Sequence, residues 1–211
     1  MRRCHAPETT WKRLTGLRCS GASENADGAG GPDGAVDYHH VSSVSVGPSG
    51  DLIVASRNLN TIWAFDAAGA RAGAAPKWTL GALAGHSDFA FDRPLDRFYA
   101  PHAALELADG RLLVMDDGSS RPGCVGSTDF KGCWSRAALY TLDRATNRTA
   151  LSWQFEDPQS LNALGGGGGD DDAARAAWYE DEVMTRDSFN FDGGSAYRLD
   201  GGRILVAFTS P

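Results

Sequence analysis

DGRLLVMD (residues 109–116) starts with a turn pair, Asp109-Gly110, and runs directly into a short apolar stretch, the pattern of a β-turn feeding a strand. The pattern returns in SGDLIVAS (49–56) and GGRILVAF (201–208). Each copy follows another strand-like run: HVSSVSV (40–46), HAALELA (102–108) and GSAYRLD (194–200). A turn between two such runs is a β-hairpin.

After the first two hairpins comes a third run ending in Asp, TIWAFD (61–66) and ALYTLD (138–143), and then a fourth containing Trp, PKWTLG (76–81) and LSWQFE (151–156). No amphipathic helix separates these runs, which disfavours a parallel βαβ arrangement. The expected fold class is all-β. Its unit is four short antiparallel strands that repeat, the signature of a β-propeller, in which the first strand of each blade lines a central channel. The sequence carries about two and a half such blades, so a partial propeller over residues 36–211 is expected, with the third blade stopping at FTSP (208–211). A β-sandwich is the alternative, but it leaves the repetition of the unit unexplained.

Residues 1–35 read as an irregular N-terminal tract. Their basic opening lacks the apolar core of a secretory signal. LNALGGGGGDDDAARAAWYEDEVM (161–184) joins a glycine run to acidic clusters and reads as a solvated loop. A calcium site at Asp170, Asp171 and Asp172 is conceivable there, although adjacent carboxylates rarely converge on one ion without a shaped loop. Cys124 and Cys133 could close a small disulfide loop, and Asn147 opens an Asn-Arg-Thr glycosylation tripeptide. A net charge of −7 argues against nucleic acid or an anionic membrane surface as the main partner, since both need a basic face. No apolar run approaches membrane-spanning length.

Two strand-like segments begin with histidine, at DYHHVSSV (37–44) and FYAPHAAL (98–105). His40 lies ten residues before Gly50 and His102 eight before Gly110, so the separations share parity. Alternation along a strand then puts both imidazoles on one face, at the start of the innermost strands of neighbouring blades. Gly194 takes the matching place in the third unit, so the repeat itself does not require histidine. The bland reading is a strand-end histidine bonded to a loop carbonyl. The functional one is a pair of convergent titratable groups in a cleft. Zinc is a further reading that lacks an evident third ligand.

DYHHVSSV, SRNLNTIWAFD, a Trp-Thr-Leu-Gly strand, FYAPHAALELADGRLLVMDDGSSRP, SRAALYTLD and LSWQFE, in that order across residues 36–156, together resemble the PAPS-independent arylsulfotransferases. The resemblance implies a six-bladed propeller that moves a sulfuryl group from a phenolic sulfate ester to a phenol acceptor through a sulfohistidine. The small-molecule donor and acceptor would be its partners, and it would use no cofactor. It also implies an extracytoplasmic setting. His40 matches the family's Asp-Tyr/Trp-x-His block, His102 its Gln-His block with Pro101 in place of Gln, and Arg136 its Ser-Arg block. Ser42 stands where the family usually has asparagine. The nucleophilic histidine of the family falls beyond the matched blocks, which leaves a non-catalytic binding propeller as the alternative.

The residue types suit that chemistry. A planar guanidinium holds an oxyanion in bidentate fashion, so Arg136 is expected as the sulfate clamp. Imidazole changes charge near neutrality, so His40 and His102 are expected to donate to the departing phenolate. Tyr38 and Phe98 are candidates for an aryl-binding pocket, with the core as the other reading. Trp63, Trp78 and Trp153 are expected to pack between blades. Arg57 and Asn60 are expected as surface or packing residues, and His86 as solvated.

Overall fold

The computed structural model describes residues 37–68, 75–82, 87–122, 124, 134–156 and 193–208. The irregular tract 1–35, the acidic loop 161–184 with Asp170–Asp172, His86 and Cys133 lie outside these residues.

The regular structure of the described residues is almost entirely β-strand, in keeping with the all-β class expected from the hairpin pattern. The first sheet runs in sequence order through β1 (Val41–Val46), β2 (Leu52–Ser56), β3 (Thr61–Phe65) and β4 (Trp78–Gly81), all antiparallel. The second contains β6 (Pro101–Glu106), β7 (Leu112–Asp116), β8 (Arg136–Asp143) and β9 (Arg148–Glu156) in the same order. It gains a fifth, outermost strand, β5 (Ala90–Phe91), which pairs parallel to β9. That short strand belongs to the connection between the sheets and carried no alternation by which sequence could find it. A hairpin of β10 (Ser195–Arg198) and β11 (Ile204–Ala207) follows.

Register makes the repetition exact in kind. The turns align Gly47, Leu107 and Leu199, each of whose N–H groups bonds to the carbonyl four residues on: Asp51, Arg111 and Arg203. Gly50 and Gly110 adopt positive φ at the third place after the first two of these residues, which a side chain would resist. On this alignment Val41 corresponds to Pro101, paired with Ser56 and Asp116 respectively. Both inner strands then carry a β-bulge in the same place: Ser42 and His102 are the extra residues.

The sheets stack face to face. Ile53, Ala55, Ile62 and Leu80 of the first meet Ala104, Leu112, Val114 and Tyr140 of the second in one buried cluster. On the far side of the second sheet, Leu113, Ala137 and Leu139 meet Ala196, Ile204 and Val206 of the hairpin. Inner strands also touch directly, with Ala104 N–H donating to Ser43 Oγ at 3.2 Å and Ser45 Oγ donating to Ala104 O at 2.7 Å. Trp78 does pack between the two sheets, whereas Trp63 lies buried on the opposite face of the first sheet beside Phe65. Trp153 departs from expectation: it is partly exposed and stacks on Phe155 of its own strand. The inner strand β1 exposes Val41, Val44 and Val46.

Cys124 is buried and disulfide-bonded. Asn147 sits exposed in the turn between β8 and β9. Among the described residues no helix is long and apolar enough to cross a membrane.

Candidate functional site

His40 immediately precedes β1 and adopts φ 42°, a left-handed conformation that non-glycine residues seldom take. Asp37 holds it there twice. One carboxylate oxygen accepts the His40 N–H at 2.9 Å and the other accepts from Nδ1 at 2.7 Å. Both side chains are substantially exposed, so the ion pair is screened and its main effect is to orient the ring. A carboxylate only accepts, so in the neutral ring Nδ1 carries the proton and Nε2 keeps its lone pair.

His102 is the bulge residue of β6. Its Nδ1 donates to Gly194 O at 2.9 Å, across to the segment leading into β10. A carbonyl, too, can only accept, so this ring has the same tautomer and the same basic Nε2. Gly194 occupies in the third unit the place that His102 takes in the second, so equivalent positions of neighbouring units bond to each other. This is the loop-carbonyl contact of the bland reading, and it also fixes the ring.

The two histidines do not occupy equivalent positions. His40 corresponds to Ala100, which also has positive φ (52°), and His102 corresponds to Ser42. Shared parity places two residues on one face only where alternation is unbroken, and the bulges at Ser42 and at His102 itself break it. What survives is that both residues stand at the same end of adjacent inner strands.

Arg136 differs from expectation more sharply. It begins β8 opposite Asp116, two strands outward from Pro101 and so roughly 10 Å from the inner strand at the usual strand spacing. The residue is only 1% exposed. Nε donates to Asp116 Oδ2 at 3.0 Å and Nη1 to Gln154 Oε1 at 2.7 Å. Nη2 faces Asp96 O at 3.1 Å, Arg97 O at 2.9 Å and Tyr140 Oη at 3.3 Å. The Trp134 ring covers the guanidinium at 4.6 Å. An arginine so enclosed offers no fork to a ligand, and the sulfate-clamp expectation is not met. Phe98 likewise is core, fully buried and edge-on to Phe91 and Tyr140, not the wall of an aryl pocket. Tyr38 is half-buried and edge-on to His39 with ring centroids 4.8 Å apart.

The enclosed charges have a visible purpose. Asp116, itself fully buried, also accepts from Arg121 Nη2 at 2.8 Å and, through Oδ1, from the Tyr99 N–H at 2.8 Å. Arg121 lies over the Trp134 ring at 3.5 Å. Arg136 and Arg121 therefore set Asp116, and Asp116 sets the backbone three residues before His102. In the first unit Ser56 takes the place of Asp116 and donates to His39 O at 2.5 Å, anchoring the segment before His40. Asn60 belongs to the same construction: its Oδ1 accepts the Ala100 N–H at 2.6 Å. Arg57, also buried, donates to Ser119 Oγ at 3.2 Å. The packing reading of these two holds and the surface reading does not.

Sequence reasoning missed Asp37, Asp116, Arg121 and Trp134. Asp37 was legible as an acid three residues before His40, within reach across a turn. The doublet Asp116-Asp117 ending an apolar strand was the other available signal, since a carboxylate there is buried and needs partners. Electrostatically, burial lowers the His39 imidazole below its ordinary value, partly opposed by the Asp37 charge. Burial pushes the Tyr140 hydroxyl well above the ordinary phenol range, opposed by Arg136; it donates to Asp96 O at 2.7 Å. Among the described residues, no group of three or more His, Cys, Asp or Glu is arranged to hold a metal ion.

No protein-family model matches the chain, and no curated protein matches it either.

Proposed function

We propose that the chain is part of a β-propeller of the arylsulfotransferase kind, in which His40 and His102 handle protons during sulfuryl transfer between phenols. The observation that carries this reading is the shared hydrogen-bond pattern: each imidazole is tied through Nδ1 to an oxygen that accepts, which puts the proton of the neutral ring on Nδ1 and leaves Nε2 as the base. An oriented base at the end of an inner strand is what proton transfer to or from a bound phenol requires. Two stacked sheets built on the same run of four antiparallel strands, with their inner strands touching, support the propeller part.

In the first half-reaction the bond between sulfur and the donor's phenolic oxygen breaks as a nucleophilic imidazole takes the sulfuryl group. A protonated Nε2 of His40 or His102 gives its proton to the departing phenolate. In the second half the neutral Nε2 takes the proton of the acceptor phenol, whose oxygen forms the new bond to sulfur as the sulfur–nitrogen bond breaks. The nucleophile is a third histidine that the matched blocks do not supply. Arg136 enters as a positioning residue, acting through Asp116 and the Tyr99 backbone on His102.

The test is transfer from a chromogenic aryl sulfate to phenol by the full-length protein. His40→Ala and His102→Ala are expected to lower kcat by about 10²–10⁴, the usual contribution of a general acid or base. Undiminished turnover in both variants would remove the assignment. A non-catalytic binding propeller is the second reading, favoured by the enclosure of Arg136, and a folded wild-type protein that binds aryl sulfates without turning them over would select it.

A further inference from the structure

Asn147-Arg148-Thr149 is the only Asn-X-Ser/Thr tripeptide in the 211 residues. It runs from the turn after β8 into the first residues of β9, and residues 143–148 are all exposed. Asp143 shapes the turn: Oδ1 accepts the N–H groups of Ala145 at 2.9 Å and Thr146 at 3.2 Å, and Oδ2 accepts the Thr146 hydroxyl at 2.6 Å. Asn147 follows with φ 55°, and its carbonyl accepts the Ala90 N–H at 2.9 Å, which pins the backbone from the neighbouring strand. Arg148 turns its guanidinium to Asp92 at 2.6 Å. Among the described residues nothing bonds to the Asn147 side-chain amide, so an exposed amide stands unused on a fixed turn.

A positive φ by itself accounts for an asparagine here, because a short polar side chain tolerates the left-handed region. Two further observations point to a group attached to it. The turn makes no use of the amide, although asparagine in a turn commonly bonds its own backbone. Cys124, in the same sheet-to-sheet region of the chain, is disulfide-bonded, and disulfides form in oxidising compartments such as the lumen through which secreted chains pass. Oligosaccharide is added to such tripeptides in secreted proteins.

We propose that Asn147 carries an N-linked oligosaccharide. Its Nδ2 loses a proton to a base of the transferring enzyme and bonds to C1 of the first sugar. The bond between C1 and the phosphate oxygen of a lipid-linked oligosaccharide diphosphate breaks, and the lipid diphosphate leaves with the bonding electrons. Thr149 fixes the order of events. Its hydroxyl, which the tripeptide requires, donates to Thr141 O at 3.1 Å in the folded chain, and the residue is only 1% exposed. Transfer therefore precedes the pairing of β8 with β9, and the finished turn holds the sugar outside. The turn lies past the far end of β8, at the end of the second sheet opposite to His102. A sugar there leaves the histidine end open, and the inference does not rest on sulfuryl transfer.

The experiment is mass spectrometry of the full-length protein purified from the cells that make it, before and after treatment with peptide N-glycosidase in water enriched in heavy oxygen. The expected result is a fall in intact mass on treatment, with residue 147 converted to an aspartate that carries the heavy oxygen. Asn147→Gly, which suits the positive φ, is expected to abolish the fall in mass. Thr149→Val is expected to abolish it as well, although Asn147 is intact, because the hydroxyl is gone while the buried shape is kept. An unmodified Asn147 in the wild-type protein would overturn the inference. So would a fall in mass that survives either variant.

Discussion

At the scale of single residues, the buried charges around Asp116 decide more than the histidines do. Arg136 and Arg121 share one carboxylate oxygen at 3.0 and 2.8 Å, in a place from which solvent is excluded. Removing Asp116 leaves two buried guanidinium groups without their shared counter-ion, so Asp116→Ala is expected to lower unfolding stability by about 3–5 kcal/mol. Arg136→Ala, after which Arg121 still pairs with Asp116, is expected to cost less. Urea midpoints at neutral pH measure both, and an Asp116→Ala loss below about 1 kcal/mol, the range of exposed pairs, would contradict this. His39 gives a pH prediction. Its folded-state pKa is lowered by burial, so the unfolded chain binds the proton more readily. The stability it contributes is therefore present above about pH 6.5, the ordinary imidazole value, and is lost as pH falls toward the lowered one. His39→Gln is expected to flatten the dependence of stability on pH just below 6.5; an unchanged slope would show that other groups carry it.

Strands and turns were the most legible scale. DGRLLVMD and its two relatives located three hairpins because the turn pairs and the alternation after them state a local preference that the tertiary structure keeps. The bulges were not legible. Ser42 and His102 are extra residues only relative to a partner strand, and nothing in either segment marks where pairing slips. That one omission undercut the sequence reading that shared parity places both imidazoles on one face, because the alternation it relied on is broken at Ser42 and His102. The fate of Arg136 was hidden for a similar reason, because its partners come from the 94–97 turn, β7 and β9, which only folding brings together. Gly118 adopts φ 75°, and a Cβ there would collide with the Trp134 carbonyl oxygen. Gly118→Ala is therefore expected to lower stability by about 1–3 kcal/mol through backbone strain and displacement of the Trp134 strand entry. A melting temperature equal to the wild type's would contradict it.

For the molecule as a whole, the sheets are stacked so that each binds the next through the same positions, and the chemistry proposed here sits where the inner strands begin. Composition could limit the partners but could not place them, since a charge of −7 says nothing about which groups meet at a strand end. The proposed proton transfer depends on the state of two rings. Asp37 and the Gly194 carbonyl can each only accept, which obliges His40 and His102 to carry their proton on Nδ1 and to present Nε2 as a base. Long-range ¹H–¹⁵N correlation spectra of the folded protein, assigned with His40→Gln and His102→Gln and recorded where the rings are neutral, read this directly. Both rings are expected as the Nδ1-protonated tautomer. A proton on Nε2 of either ring, or rapid exchange between the two nitrogens, would contradict it.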